Sequence, residues 1–263
     1  MENSPVVEMF VETHGHLVGV RGERDLDAVV RRAEEAGVVL ILTAGIDLPS
    51  SVKTVEVAKR YETVKACVGI HPWYADEYDE EAERRLRELA GEREVVAISE
   101  IGLDFFGRMT HSWSFTSEYI EEEVQYRTLR GQLGLARERG LPVIVHDRAK
   151  GFEMLEILEE EGVSEIGGAI HGFSRDLNYA RRCIDLGVYL SVSDRALSRP
   201  ENEGLREAVK EIPSEWLLTE TDTGNPEGVV KAAERIAELK GLTTEEVGEA
   251  TTSNLRRLLK IPD

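Results

Sequence analysis

The residues equipped for chemistry in this sequence are histidines and acids, and they recur in short motifs. FVETHGHLVGV (10–20) carries His14 and His16 two residues apart. Side chains alternate along a strand, so both imidazoles would leave one face, with Glu12 on that face too. GIHP holds His71, SEIGLD holds Glu100, VIVHDR holds His146, AIHGFS holds His171, and LTETD holds Glu220 and Asp222. All of them end or closely follow apolar runs; His111, in FFGRMTHSWSFT (105–116), does not. Buried imidazoles and carboxylates need partners, and a shared cation would serve them together. Neutral imidazole and carboxylate suit borderline and hard divalent ions, among them Zn, Mg and Mn. Six ligands (His14, His16, Glu100, His146, His171 and Asp222) exceed the three protein ligands usual for one open catalytic zinc. They suit two divalent metal ions about 3.5–4 Å apart, bridged by a carboxylate.

The elements that must position these residues are legible as eight apolar runs: VVEMFVETH, VVLILTAG, VKACVGIHP, VVAISEIGLD, PVIVHD, IGGAIHGF, VYLSVS and WLLTETD. Most are nearly continuous in Val, Ile and Leu, as buried parallel strands are. Amphipathic segments such as LDAVVRRAEEAG and LNYARRCIDLG lie between them. The spacing predicts a long helix over 117–140 and a last one over 243–260, with Asp176 and Thr244 as helix caps. Strands alternating with helices predict an α/β fold, a (β/α)8 TIM barrel, as one hydrolase domain over residues 1–263. In such a barrel the C-terminal strand ends share one rim, so the histidines and acids would converge there, beside the loop 105–116.

Composition bounds the partners. A net charge of −19 repels nucleic acid, so a nucleic-acid substrate would be held by local cations or by metal. MENSPVVEMF lacks the basic start and long apolar run of a signal peptide, and no apolar run is long enough to span a bilayer. Cys67 and Cys183 read as reduced core residues. The expectation is a cytoplasmic protein with no membrane contact and no obligate protein partner.

Taken together, THGHL, GIHP, SEIGLD, QYRTLRGQLGLA, LPVIVHDR, HGFS, TETD and TSNLRRLL resemble the motifs of TatD-type metal-dependent hydrolases. These TatD-related deoxyribonucleases are a branch of the amidohydrolase superfamily, and the resemblance runs from the first strand to the last helix. It implies a barrel of the metallo-dependent hydrolase type and a two-metal site made of the same six residues. The related phosphotriesterase and dihydroorotase branches typically bridge their metals with a carbamylated lysine on the fourth strand. Here that strand offers Glu100 and no lysine. The chain departs from the family pattern at Glu12, where Asp is usual, at Asp147 and Ala149 around Arg148, and at Arg175, where Gly is usual. TDTGNPEG also replaces a TDAPYL-like run, and the loop after Asp104 is longer.

The resemblance makes a phosphodiesterase the leading expectation, a 3′-exonuclease that takes DNA or RNA ends or a small phosphodiester. A divalent ion lowers the pKa of its water toward about 7. Asp222 would ligate a metal and accept that water's proton, while Glu100 bridges the ions. Arg148, His71 and Ser174 are the candidate substrate-binding residues: a guanidinium fork for phosphate, an imidazole to hold phosphate or protonate the leaving group, and a hydroxyl donor. Each has a structural alternative. Arg148 could pair with Asp147 or Glu153, His71 could cap a strand end, and Ser174 could cap the next helix. Trp73 and Tyr74 are read as packing beneath their loop, Gln125 and Gln132 as tying the long helix to the barrel, and His111 as a surface residue on a loop able to close. An alternative function keeps the site and changes the bond, to an ester or amide such as an aminoacyl-tRNA ester or a small cyclic amide. A non-enzymatic barrel is the third reading, and intact ligands on five strands argue against it.

Overall fold

Runs that are apolar on both faces need cover on both faces, and parallel strands flanked by helices supply it. The computed structural model describes residues 9–18, 25–112 and 114–261. Its first four strands are β1 (Phe10–Gly15), β2 (Val38–Ala44), β3 (Val64–Val68) and β4 (Val95–Asp104). A small antiparallel hairpin follows, β5 (Arg108–Met109) with β6 (Phe115–Thr116). The remaining strands are β7 (Val143–Arg148), β8 (Gly168–His171), β9 (Val188–Ser193) and β10 (Leu217–Glu220). Leaving out the hairpin, the strands pair in chain order, every pair parallel. The last strand returns to the first: Thr219 Oγ1 donates to the Val11 carbonyl (2.9 Å), Asp222 N–H to the His14 carbonyl (3.0 Å) and His16 N–H to the Thr223 carbonyl (2.8 Å). This is the predicted (β/α)8 TIM barrel.

Inside the barrel the chemistry changes with height. Val11, Ala97, Ile144, Ala169, Tyr189 and Leu218 form an apolar floor, closed from below by Leu255, Leu258 and Leu259 of the final helix Thr244–Leu259. Two residues further along the same strands stand Thr13, Ser99, His146, His171, Ser191 and Glu220, all buried. A period of two keeps these on the inward face, one layer higher. The polar rim is therefore laid on a dry base.

One outer helix is tied to the rim by two buried amides. Gln125 Oε1 accepts the Asp104 N–H (2.8 Å), and its Nε2 donates to the Asp104 carbonyl (3.0 Å). Gln132 does the same for Ile70, at 2.7 and 3.0 Å. Both side chains thus fasten the helix Glu122–Arg139 to the barrel, as the sequence suggests.

Some boundaries differ from the sequence reading. Residues 6–8 of the first apolar run lie outside the described residues. The long helix starts at Glu122, because residues before it belong to the rim loop and Gln125 Nε2 takes the Ile120 carbonyl (2.7 Å). Asp176 caps its helix, accepting the Tyr179 N–H (2.9 Å). The last helix is capped by Thr243, not Thr244: Thr243 Oγ1 accepts the Glu246 N–H, and the Glu246 carboxylate accepts the Thr243 N–H. Among the described residues no helix is long and apolar enough to cross a membrane.

Candidate metal centre

Glu100 sits on β4 with 4% of its surface exposed, and its two oxygens divide the rim imidazoles between them. Oε1 lies 2.8 Å from His171 Nε2, 3.1 Å from His146 Nδ1 and 3.3 Å from His71 Nε2. Oε2 lies 3.4 Å from His14 Nε2 and 3.6 Å from His16 Nε2. Asp222 Oδ1 closes the set, 3.3 Å from His16 Nε2. All six residues expected as ligands are thus brought together. Four donors around zinc at 2.0–2.1 Å would stand roughly 3.3 Å from one another, and the separations here bracket that value.

Local backbone makes the convergence possible. A Cβ on Gly102 (φ +149°) would lie 2.0 Å from the His146 carbonyl oxygen, so glycine lets β4 run close beside β7. Asp222 adopts a left-handed conformation (φ 53°), uncommon for a residue with a Cβ. Its N–H holds the His14 carbonyl while its carboxylate meets His16. The β1–β2 ladder shifts register between Glu12 and Gly15, so strict alternation fails there. Glu12 accordingly does not join the imidazoles as the alternating strand predicts. Its Oε1 accepts the N–H groups of His14 and Thr221 (both 3.0 Å), and its Oε2 meets the Thr221 hydroxyl (2.6 Å). Burial pushes Glu12 up to about 8.

Buried polar atoms test whether cations fit. His14 stacks on His171, with ring centroids 3.8 Å apart, yet neither nitrogen of His14 has a hydrogen-bond partner. His171 Nδ1 and Glu220 Oε2 are orphaned as well. Such groups are expensive to bury unpaired, and a cation ligated by His14 Nε2 would satisfy that nitrogen. Burial lowers His14 to about 4 and keeps it neutral, the form that binds metal. Burial also opposes charge on His16 and His146. The hydrogen bonds that these imidazoles donate to Asp222 and Asp104, with Glu100 close to both, win and raise each to about 9. Burial likewise opposes charge on Glu100 and Asp222; their imidazole neighbours hold Glu100 well below the usual carboxylate range and Asp222 at about 2. The centre is thus an anionic pocket ringed by imidazoles, where a divalent ion would replace the protons of His16 and His146.

Three acids that the sequence offered without a role support this ring. Asp104 Oδ2 binds His146 Nε2 (3.2 Å) and accepts from Trp73 Nε1 (3.0 Å), while Oδ1 accepts the Phe106 N–H (3.0 Å). Glu220 Oε1 accepts the Gly172 N–H (2.6 Å) and stands 4.0 Å from His171 Nδ1. Glu12 fastens β1 to the segment after β10. Carboxylates behind ligand imidazoles fix tautomer and orientation. Asp104 had a visible signal: it lies four residues after Glu100 on the same strand, hence on the same face.

The expected substrate residues diverge. Arg148 and Ser174 line a cleft with His146, His171 and Asp222 that spans about 670 Å³ with its open mouth. The Arg148 side chain is 57% exposed and meets neither Asp147 nor Glu153; Asp104 Oδ2 is its nearest acid, at 4.0 Å. Asp147 instead holds Tyr179 Oη (2.6 Å) and Arg175. His71 is buried and caps the turn Pro72–Glu77: its Nδ1 accepts the Trp73 N–H (3.1 Å). That leaves the proton on Nε2, aimed at Glu100. Trp73 packs beneath the loop, beside His71. His111 bonds Glu77 Oε1 (2.7 Å) and stacks on Tyr74, folding the hairpin loop down beside the turn after β3.

The chain matches the family model described as TatD related DNase over residues 11–260. It is 35% identical over 265 residues to the uncharacterized metal-dependent hydrolase YabD of Bacillus subtilis (strain 168), covering 96% of this chain and 100% of YabD. The 3'-5' ssDNA/RNA exonuclease TatD of Cronobacter sakazakii is 34% identical over 200 residues, 76% of this chain and 72% of that protein. Among solved structures, the TatD homologue YjjV of Escherichia coli K12 superposes with a TM-score of 0.83 at 27% identity, covering 96% of this chain and 98% of YjjV.

Proposed function

The chain belongs to the TatD-related DNase family of metal-dependent hydrolases, and from that premise we propose that it cleaves phosphodiester bonds at DNA or RNA ends as a 3′-exonuclease. Glu100 carries this reading, a buried carboxylate with five imidazoles within 3.6 Å. His14, His16 and Asp222 would hold one divalent ion and His146 and His171 a second, with Glu100 shared between them. The imidazole-rich set favours Zn or Mn over Mg. When bound, such ions acidify a ligated water and draw charge from phosphoryl oxygens.

The chain's own groups do the rest. Asp222 is ionised at neutral pH and its side chain is 43% exposed to the cleft, so it can accept a proton from water there. The neutral Nε2–H of His71, buried beside Glu100, steadies that carboxylate and does not face the cleft. Arg148 and Ser174, on the cleft wall, grip the phosphate with a guanidinium fork and a hydroxyl. The relation to the Cronobacter exonuclease supports a nucleic-acid substrate. Two buried free thiols, Cys67 and Cys183, support a reducing, cytoplasmic setting.

A substrate panel tests the proposal: single-stranded DNA, RNA, bis-p-nitrophenyl phosphate and aminoacyl-tRNA, each with Zn or Mn. The phosphodiesters should be cleaved, and Asp222→Asn should abolish that cleavage. Deacylation of aminoacyl-tRNA without cleavage of any phosphodiester would overturn it.

A further inference from the structure

We propose that the same cleft holds a second, non-scissile phosphate of the nucleic-acid strand, on the guanidinium groups of Arg195 and Arg199. This rests on the phosphodiesterase reading and narrows its substrate to a strand charged on both sides of a nucleoside. Another part of the cleft wall is the segment SDRALSRPEN (193–202), which contributes Arg195, Arg199 and Asn202 to the lining. Neither guanidinium makes a hydrogen bond, ion pair or ring contact among the described residues, and both side chains are exposed. Some arginines on the helix faces, such as Arg84, Arg87 and Arg130, are paired with glutamates, and others, such as Arg127 and Arg181, are not; Arg195 and Arg199 differ from these in lining the cleft.

The segment that presents the two arginines is pinned. Ser193 Oγ accepts the Ala196 N–H (3.2 Å), and Asn202 Nδ2 donates to the Ala196 carbonyl (2.9 Å). Arg206 Nη1 donates to the carbonyls of Leu197 (3.1 Å) and Arg199 (2.6 Å), and its Nη2 to that of Pro200 (3.0 Å). Asp194, the acid on the same turn, faces Arg235 at 3.6 Å. Little backbone freedom is left to lose on binding, and two planar forks stand ready for an anion. The cleft runs continuously from Asp222 and His171 to these arginines. A strand whose scissile phosphate sits at the centre would place its next phosphate toward these arginines along the same cavity.

Thymidine 3′,5′-bisphosphate and thymidine 3′-monophosphate test this by calorimetry on the metal-loaded protein, since neither contains a diester to hydrolyse. The parent should bind the bisphosphate at least on the order of tenfold more tightly, the value of one good charged contact. Arg195→Ala/Arg199→Ala should erase that preference and leave monophosphate affinity and the melting temperature unchanged. Arg195→Lys/Arg199→Lys should restore part of it. For single-stranded oligonucleotides the double alanine variant should lose about 0.7 from the slope of log affinity against log salt per phosphate released. Equal affinity of the parent for both nucleotides, or an undiminished preference in the double alanine variant, would overturn the second site. Hydrolysis of bis-p-nitrophenyl phosphate, which has one phosphate, should be unaffected in that variant. Failure of the parent to cleave any diester would sink the catalytic reading, while the two nucleotide affinities would still decide for or against the second phosphate site.

Discussion

Asp104→Asn is the substitution whose effect can be worked most closely from the structure. The carboxylate of Asp104 is 2% exposed and faces three N–H donors: His146 and Trp73 on Oδ2, the Phe106 amide on Oδ1. Asparagine keeps the shape but supplies one acceptor oxygen. Turning that oxygen to His146 and Trp73 sets the new NH2 against the Phe106 N–H; the reverse sets it against two donors. The first is cheaper and still leaves a donor unsatisfied, about 1–3 kcal/mol. For a chain of this size that is a fall in melting temperature of roughly 2–10 °C. His146 also loses its anionic partner, which typically lowers metal affinity about 10–100-fold. The loss should fall on one ion alone, because Asp104 has no hydrogen bond or ion pair with His14, His16 or Asp222. Zinc competition with a chromogenic chelator should resolve one weakened and one unchanged site. A variant that binds both ions with parental affinity and melts with the parent would refute the assignment of Asp104 as the group that orients His146.

Three further outcomes follow from the same contacts. Glu12→Ala removes the acceptor of two backbone N–H groups and a hydroxyl, so denaturant melts should show a loss of about 2–5 kcal/mol. Glu12→Gln, which can accept both N–H groups and donate to Thr221, should lose about 1 kcal/mol or less. Gln132→Ala strands the N–H and carbonyl of Ile70 in the core and should destabilise by roughly 2–4 kcal/mol in the same assay. Burial pushes the Cys67 thiol from 9.0 up to about 12, so the folded state favours the thiol and loses stability as pH rises from 9 toward 12. Disulfide-exchange labelling at pH 9 should therefore find Cys67 inert in the native protein and reactive in urea; fast native labelling would contradict its burial.

Much of the site could be read before any coordinates because a parallel barrel converts position along a strand into position in space. His146 and His171 follow Ile144 and Ala169 by two residues, so the pattern that marks the apolar floor also marks the layer above it. Glu100 lacks that simple register but lies in a ten-residue strand read to its bounds. What stayed hidden depends on partners from distant elements. Glu12 looked like a companion of His14 and His16 until a register shift turned it toward Thr221. Asp104 and Glu220 can be placed at strand ends from the sequence, but only packing shows that they stand behind His146 and His171. The freedom of Arg195 and Arg199 was equally invisible, since it depends on where neighbouring acids turn, as Asp194 does toward Arg235. Thr243 and Thr244 are interchangeable as caps by type, and the reciprocal bond from Glu246 decides between them.

Metal content after equilibrium dialysis addresses the shared cation pair most directly. The parent should retain about two Zn or Mn ions per chain, and Glu100→Gln, which removes the charge both ions would share, should retain fewer than about one. A parent that holds one ion or none, or a Glu100→Gln protein that still holds both, would contradict the reading of this rim as a two-ion centre.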